Sequence, residues 1–269
     1  MELTTIFGIA FGFICICISI FLGGTLDTFL HPISAFIVFG GTIAATIVSY
    51  PAKMLKSLTV VFKNAFRKKE IDLNKEIDLI IKIANVARRE GLLALEDAMD
   101  EIDNPFLKKG IMLIVDGADT ELIKNVMQTE IYFIQERHTQ GQAIVRSMAT
   151  YAPAFGLIGT LIGLINMLKG LEDPDALGAG MSTALITTFY GVLLANLVLS
   201  PIAKKLKTQS ENEGLQKELL LEGLLSIQDG ENPRIIRDKL VAFVARRDIK
   251  NADGKKHETN PEVKEITDE

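Results

Sequence analysis

The residues whose types and spacing could carry chemistry sit in two uncharged runs, 149–168 (ATYAPAFGLIGTLIGLINML) and 180–203 (GMSTALITTFYGVLLANLVLSPIA). The first holds Gly156, Gly159, Thr160 and Gly163, and the second holds Ser182, Thr183, Thr187, Thr188 and Gly191. Thr183, Thr187, Gly191 and Ala195 recur every four residues, which puts them on one face of a helix. Two readings of this pattern stand open. Small residues, with the GxxxG spacing of Gly159 and Gly163, let two helices approach closely, and each Thr hydroxyl can satisfy itself on the preceding turn. The same hydroxyls could instead line a polar path through a membrane. Pro153 and Pro201 bear on the choice, because neither has an N–H and each deprives a carbonyl one turn back, that of Ala149 or Leu197, of its usual donor. Freed carbonyls at membrane depth are tolerated where they line protein or water. A hinge or gate at these prolines is the functional version, and a simple span end is the other.

No Asp, Glu, Lys, Arg or His lies in the central part of any apolar run. Cation pathways ordinarily place an ionisable group there, so if this chain conducts, the carboxylate comes from another chain. Enzyme chemistry has no foothold: His31, His138 and His257 fall in a loop, a helix and the tail without ligand spacing, and no Ser-His-Asp set, HExxH motif or phosphate loop is present. The chain is therefore read as a non-enzyme with no cofactor, no metal site and no use of ATP. Cys15 and Cys17, two residues apart and so on different helix faces, read as small apolar residues. A net charge of -5 speaks against a nucleic-acid partner.

These residues need elements to hold them, and the composition says which. Of 269 residues 48% are apolar, and the mean hydropathy of +0.25 is high for a water-soluble domain of this size. The excess is concentrated in four uncharged runs, 3–24, 33–50, 149–168 and 180–203, each near the roughly 20 residues that cross a bilayer core. The first run has only Met-Glu before it and no small-x-small cleavage site after it, so it is expected to remain as an anchor. Of the 29 Lys and Arg, the loop 25–32 has none and the loop 169–179 only Lys169; all others fall in 51–148 and 203–269. By the positive-inside rule both termini and the long middle segment are cytoplasmic.

The chain thus reads as an all-α polytopic membrane protein, with a helical cytoplasmic domain inserted between spans two and three. Its expected segments are a transmembrane hairpin at 1–50, a cytoplasmic helical domain at 51–148, a second hairpin at 149–203, C-terminal cytoplasmic helices at 204–247 and a disordered acidic tail at 248–269. Within the middle segment, Ile77, Ile80, Ile81, Ala84 and Ala87 form a helical stripe that breaks at Gly91, and a second helix is expected over about 92–102. Asn104-Pro105 predicts a cap and start for a helix through about Val115, and Asp119 or Thr120 caps the next. No proline then intervenes before Pro153, so that helix is expected to continue from the cytoplasm into the membrane. An amphipathic helix comes after Pro201, and Asn232-Pro233 starts another that ends near Arg247.

The stretch from YAPAFGLIGTLIGL through LEDP and TTFYG to SPIA resembles the third and fourth transmembrane helices of the MotA/PomA flagellar stator family, within the MotA/TolQ/ExbB proton-channel superfamily. Span order, the large cytoplasmic loop and length agree over nearly the whole chain. The resemblance implies a pentameric ring around a dimer of MotB-type subunits that supply the ion-binding Asp in the bacterial inner membrane. Ion passage, of H+ or Na+, would turn the ring against the rotor protein FliG. Position by position, Pro153 and Pro201 match the family's two functional prolines, and Thr160 and Thr188 match the residues beside its ion path, with Thr183 and Thr187 as further lining candidates. In ARREGLLALEDA, aligning Gly91 places Arg88 and Glu96 on the rotor-facing charges, and Arg89, Glu90 and Asp97 are neighbours able to substitute. At 1.5 Å per residue, Thr160 lies roughly 16 Å and Thr188 roughly 21 Å from the cytoplasmic side. Both are near mid-bilayer. Sodium needs several oxygens to replace its hydration shell, so Thr160 leans toward sodium over proton, as in the family's sodium-driven members.

A TolQ/ExbB-type energy transducer is the nearest alternative, but those relatives have three spans and this chain four. A secondary transporter would be expected to show internal symmetry and a polar midplane site, and neither is visible.

Overall fold

The computed structural model describes residues 3–24, 26–66, 71–99, 102–170, 172 and 174–244. The tail 248–269 and the end near Arg247 lie outside the described residues. Among the described residues there are helices and turns and no strand.

Helix α1, Leu3–Gly23, carries no charge in its first or last turn, and Phe7, Phe11, Ile14, Ile18 and Phe21 all project outward. A helix apolar all round has no water-facing side and belongs in a bilayer. After a single 3-10 turn at Leu26–Phe29, α2 spans 32–49. It begins with Pro32 in its first turn behind His31, whose side chain accepts from the Ser34 N–H. It contains a π-helical turn at Phe36–Gly40, and it stops because Pro51 pushes Tyr50 to extended φ −132°, ψ 142°. Helix α3, Ala52–Ala65, starts directly behind that proline. Its Leu58, Val61 and Phe62 pack against an apolar cluster built on Val145, Ala152 and Ile202, and Lys53, Lys56 and Lys63 stay exposed.

Helix α4, Leu73–Glu90, is capped by Asp72 and ends at Gly91, whose φ of 89° favours glycine. In place of one helix over 92–102 there is a 3-10 turn at Leu92–Ala94 followed by the single α-helical turn α5, Leu95–Ala98, and residues 100 and 101 lie outside the described residues. Helix α6 is Pro105–Val115, with the Asn104 side chain accepting from the Phe106 and Leu107 N–H groups. Helix α7 runs Thr120–Lys169 with Pro153 inside it, and its start is held by the Asp119 carboxylate, which accepts from the Leu122 N–H at 2.7 Å. At 50 residues it is about 75 Å long. Helix α8, Pro174–Leu193, passes through a π-helical turn at Leu194–Leu199 into α9, Ser200–Gln228. Asn232 caps a last helix α10 at 233–244, accepting from the Arg234 N–H.

Two compact units form. One comprises α1, α2, α3, the later part of α7, α8 and the start of α9; the other comprises α4, α5, α6, the first part of α7, the rest of α9 and α10, with dividing lines at 69/70, 135/136 and 209/210. The second unit buries Ile77, Ile80 and Ala84 of the expected stripe, with Ile81 and Ala87 packed at its edge. Its core centres on Phe106, Ile111, Leu219 and Leu224. Each such side chain, removed from water, contributes about 1.5–3 kcal/mol. Among the described residues four helices are long and apolar enough to cross a membrane, Thr4–Gly23, Leu26–Ser49, Thr120–Lys169 and Leu177–Gln228.

Candidate functional site

The site is built on glycines. A Cβ on Gly191 would stand 2.6 Å from the Ala152 carbonyl oxygen and 3.1 Å from the Gly156 Cα, and one on Gly163 would stand 2.6 Å from the Ala184 nitrogen. Backbones of α7 and α8 therefore touch along Gly156, Gly163, Gly180 and Gly191, an approach that only residues lacking a side chain permit. The packing reading of the small residues holds in this respect, and it has a second effect. It brings Thr160 of α7 and Thr188 of α8 together, with their hydroxyl oxygens 2.9 Å apart.

The Thr160 hydroxyl also reaches the Gly156 carbonyl at 3.0 Å, and that of Thr188 the Ala184 carbonyl at 3.4 Å. With Thr160 donating to Gly156 and Thr188 donating to Thr160, both oxygens keep lone pairs unused. Thr188 is exposed and Thr160 half-buried, so this pair offers two oxygens on an open face of the chain. Thr183 and Thr187 point elsewhere. Thr187 is wholly buried and donates to Ser34 of α2 at 2.9 Å or to the Thr183 carbonyl at 2.5 Å, while Thr183 donates to the Ala179 carbonyl. The four-residue face found in the sequence is thus divided between neighbours, with the Thr187 hydroxyl toward α2 and Gly191 against α7, and the π-helical turn that begins at Leu194 changes the register of the helix beyond it.

Pro153 is half-buried, and its Cα would lie 3.2 Å from a Cβ on Gly191. On another side of α7, Tyr151 meets Ser49 with hydroxyls 2.8 Å apart, and Ser147 meets Tyr50 at 2.7 Å. Tyr50 also donates to the Ala143 carbonyl at 3.2 Å. These crossed Tyr–Ser pairs tie the end of α2 to the turns of α7 just before the proline. Pro201 is exposed, one residue into α9 and directly behind the π-helical turn.

In the other unit, Arg88, Arg89 and Glu90 close α4, and Glu96 and Asp97 open α5 across the Gly91 turn. All five are exposed. The structure thus brings them onto one helix-turn-helix corner.

Sequence reasoning missed the inner contacts of α2. Ser34 is wholly buried and joins His31 Nδ1 at 2.9 Å to Thr187, and Tyr190 donates to the Phe29 carbonyl while accepting from the His31 N–H at 3.3 Å. His31 directly before a proline-started helix was the available signal for a local cap, but the partner of Ser34 on α8 lies 153 residues away.

Residues 98–219 match a family model described as the MotA/TolQ/ExbB proton channel family, and residues 6–91 match one described as Motility protein A N-terminal. The chain is 40% identical over 244 residues to chemotaxis protein PomA of Vibrio alginolyticus, covering 91% of this chain and 96% of the relative. Among solved structures it is similar to C. jejuni MotAB, with a TM-score of 0.85 and 32% identity over 90% of this chain and 96% of that one. It is also similar to the flagellar MotAB stator complex from Bacillus subtilis, with a TM-score of 0.84 and 34% identity over 92% and 98%. With four membrane-crossing helices in the same fold and these relatives along nearly its full length, the chain belongs to the motility protein A family of MotA/TolQ/ExbB proton channels, whose members are ion-channel stator proteins and not enzymes.

Proposed function

We propose that this chain is the ring-forming stator subunit of a flagellar motor, which passes ions together with a MotB-type subunit and turns that flux into rotation. The observation that carries this reading is the Thr160–Thr188 hydroxyl pair, on an open face of two apolar runs, 149–168 and 180–203, that hold no Asp, Glu, Lys, Arg or His. Two neutral oxygens can share in coordinating or relaying a cation, but they cannot neutralise it. The missing charge is assigned to an Asp on the single transmembrane helix of a MotB-type partner. Five copies would surround a pair of such helices, so that each Thr160–Thr188 face turns inward in turn.

In this scheme Pro153 and Pro201 are the hinges at the cytoplasmic mouth, and the exposed Arg88 and Glu96 face FliG, with Arg89, Glu90 and Asp97 beside them. The termini are cytoplasmic, the membrane is the bacterial inner membrane, and lipid meets the outward-facing side chains of α1. For the ion we favour sodium, because Thr160 adds an oxygen where an alanine would add none. The test is co-expression with a MotB-type subunit, purification and mass measurement. A complex of five copies with two partners is expected. Purification of this chain as a homo-oligomer that never retains such a partner would refute the reading.

A further inference from the structure

Resting on the stator reading above, we propose that Asn196 is a further residue of the ion path, whose carboxamide oxygen takes the cation after it leaves the Thr160–Thr188 pair and before it reaches the cytoplasm.

Asn196 is the one carboxamide in the uncharged run 180–203, and it is exposed. An amide on the outside of a membrane-crossing helix is costly against hydrocarbon tails, so something other than lipid has to meet it. Its nitrogen donates to the Val192 carbonyl of its own helix at 3.1 Å. Only the nitrogen can donate to a carbonyl, so the oxygen is the atom left over, and among the described residues it accepts no hydrogen bond. Thr160 is built the same way, donating to the Gly156 carbonyl four residues back at 3.0 Å and keeping lone pairs on its oxygen. Each group is satisfied as a donor inside its helix and offers an oxygen outside it.

The π-helical turn decides which way the Asn196 oxygen faces. Thr188, Val192, Asn196 and Ser200 recur at intervals of four and are all exposed. In an unbroken α-helix twelve residues would carry Ser200 about 120° round from Thr188. Here the Ser200 N–H bonds to the Ala195 carbonyl, five residues back. The turn thereby takes up about one extra residue, or about 100°, and leaves the two about 20° apart. Asn196 lies between them on the same face, about 12 Å along the axis from Thr188. In the other direction the row continues through the exposed Leu185 and Met181. The open face of α8 is thus apolar on one side of Thr188 and polar on the side of α9, which the stator reading places in the cytoplasm. Pro201 follows at once, and having no N–H it leaves a carbonyl of the π-helical turn short of a backbone donor. Val192 alone separates the two polar stations in this row, a short apolar step between oxygens.

The experiment uses the full chain with its MotB-type partner in motile cells and compares wild type, Asn196→Leu and Asn196→Thr. Leucine keeps the size and removes the oxygen. Threonine restores an oxygen that can donate to the Val192 carbonyl and keep lone pairs, as Thr160 does. Swimming speed is measured against the concentration of the driving ion, Na+ or H+, whichever moves the wild type. A station reached after the threonine pair governs how fast the ion leaves and not how tightly it is first held. Asn196→Leu is therefore expected to lower the saturating speed about fivefold or more, the scale of one lost hydrogen-bonding group, with the half-saturating concentration within about twofold of wild type. Asn196→Thr is expected to regain at least about half of the wild-type saturating speed, and both variants retain the partner on purification. The proposal is overturned by an Asn196→Leu chain that reaches wild-type speed, by one whose defect is confined to the half-saturating concentration, or by an Asn196→Thr chain no faster than Asn196→Leu. Loss of the partner from Asn196→Leu also overturns it and makes the residue an assembly contact. In each of these cases the stator reading stands. A wild type that drives no rotation with any MotB-type partner overturns the stator reading, and this inference with it.

Discussion

At the residue scale, Thr160 and Thr188 matter for the lone pairs that their hydrogen bonds leave over. If sodium is the coupling ion, removing one of those oxygens weakens the ion's coordination without changing the fold. Thr160→Ala is expected to raise the sodium concentration for half-maximal speed by about tenfold, the factor that about 1.4 kcal/mol makes, at fixed proton motive force. Wild-type speed independent of sodium would remove the sodium assignment and leave Thr160 as a packing residue. A different residue tests the second unit. Glu231 is held below its ordinary 4.5 by its hydrogen bond from Lys239, against some opposing desolvation, with help from Ser226, and the Lys239 ammonium lies 2.5 Å from its carboxylate. A lowered carboxyl value means that the folded state binds its proton later than the unfolded state does. The contribution is therefore present above pH 4.5 and lost as pH falls through the folded value. Glu231→Gln should lower unfolding stability at neutral pH by up to about 1 kcal/mol, the scale of a partly exposed pair. Denaturation of the purified protein at several pH values should show the difference from wild type closing on acidification.

Elements succeed or fail here on how closely backbones meet. Gly191→Ala puts a methyl 2.6 Å from the Ala152 carbonyl and should prevent α7 and α8 from seating, seen as loss of folded yield in detergent. Gly178 in the same helix has nothing within 4 Å of an added Cβ, so Gly178→Ala should be neutral or stabilise by up to about 1 kcal/mol. Equal loss in both would mean that helix propensity, and not contact, decides. For the prolines, Pro153→Ala and Pro201→Ala should insert normally and abolish swimming, whereas unchanged torque in either would make that proline a span marker only. How much of this the sequence disclosed depends on the range of the forces involved. Asn104, Asp119 and Asn232 were readable as caps because a cap is made with N–H groups two or three residues away. The apolar runs were readable because lipid imposes one length on any helix that crosses it. The segment after Gly91 reads as one helix because LLALEDA has good helical propensity, whereas its first turn is 3-10 and Leu95 is buried in the core. The π-helical turns FIVFG and LANLVL carry no proline and no common residue signal. The partner of Ser34 lies across the fold, where periodicity has no reach.

For the whole molecule the question is how the exposed corner around Gly91 is used. Reversing both charges, Arg88→Glu with Glu96→Arg, should stop rotation while leaving co-purification with a MotB-type subunit intact, because exposed charges contribute little to folding. Cells that swim normally at low and high ionic strength would show that these residues do not meet the rotor electrostatically, since such contacts are screened by salt. A last consequence concerns synthesis. Thr42, Thr46, Thr160, Thr183, Thr187 and Thr188 each reach a carbonyl four residues back in their own helix. Each of these spans can therefore leave the translocon and enter lipid with these threonine hydroxyls already satisfied, before the next span has been translated. No chaperoning of these threonine hydroxyls is required across the roughly 100 residues that separate the two hairpins. The contacts between helices, Thr160 with Thr188 and Thr187 with Ser34, are made afterwards by groups that already have a place to return to, which lets assembled helices trade neighbours without stranding a donor.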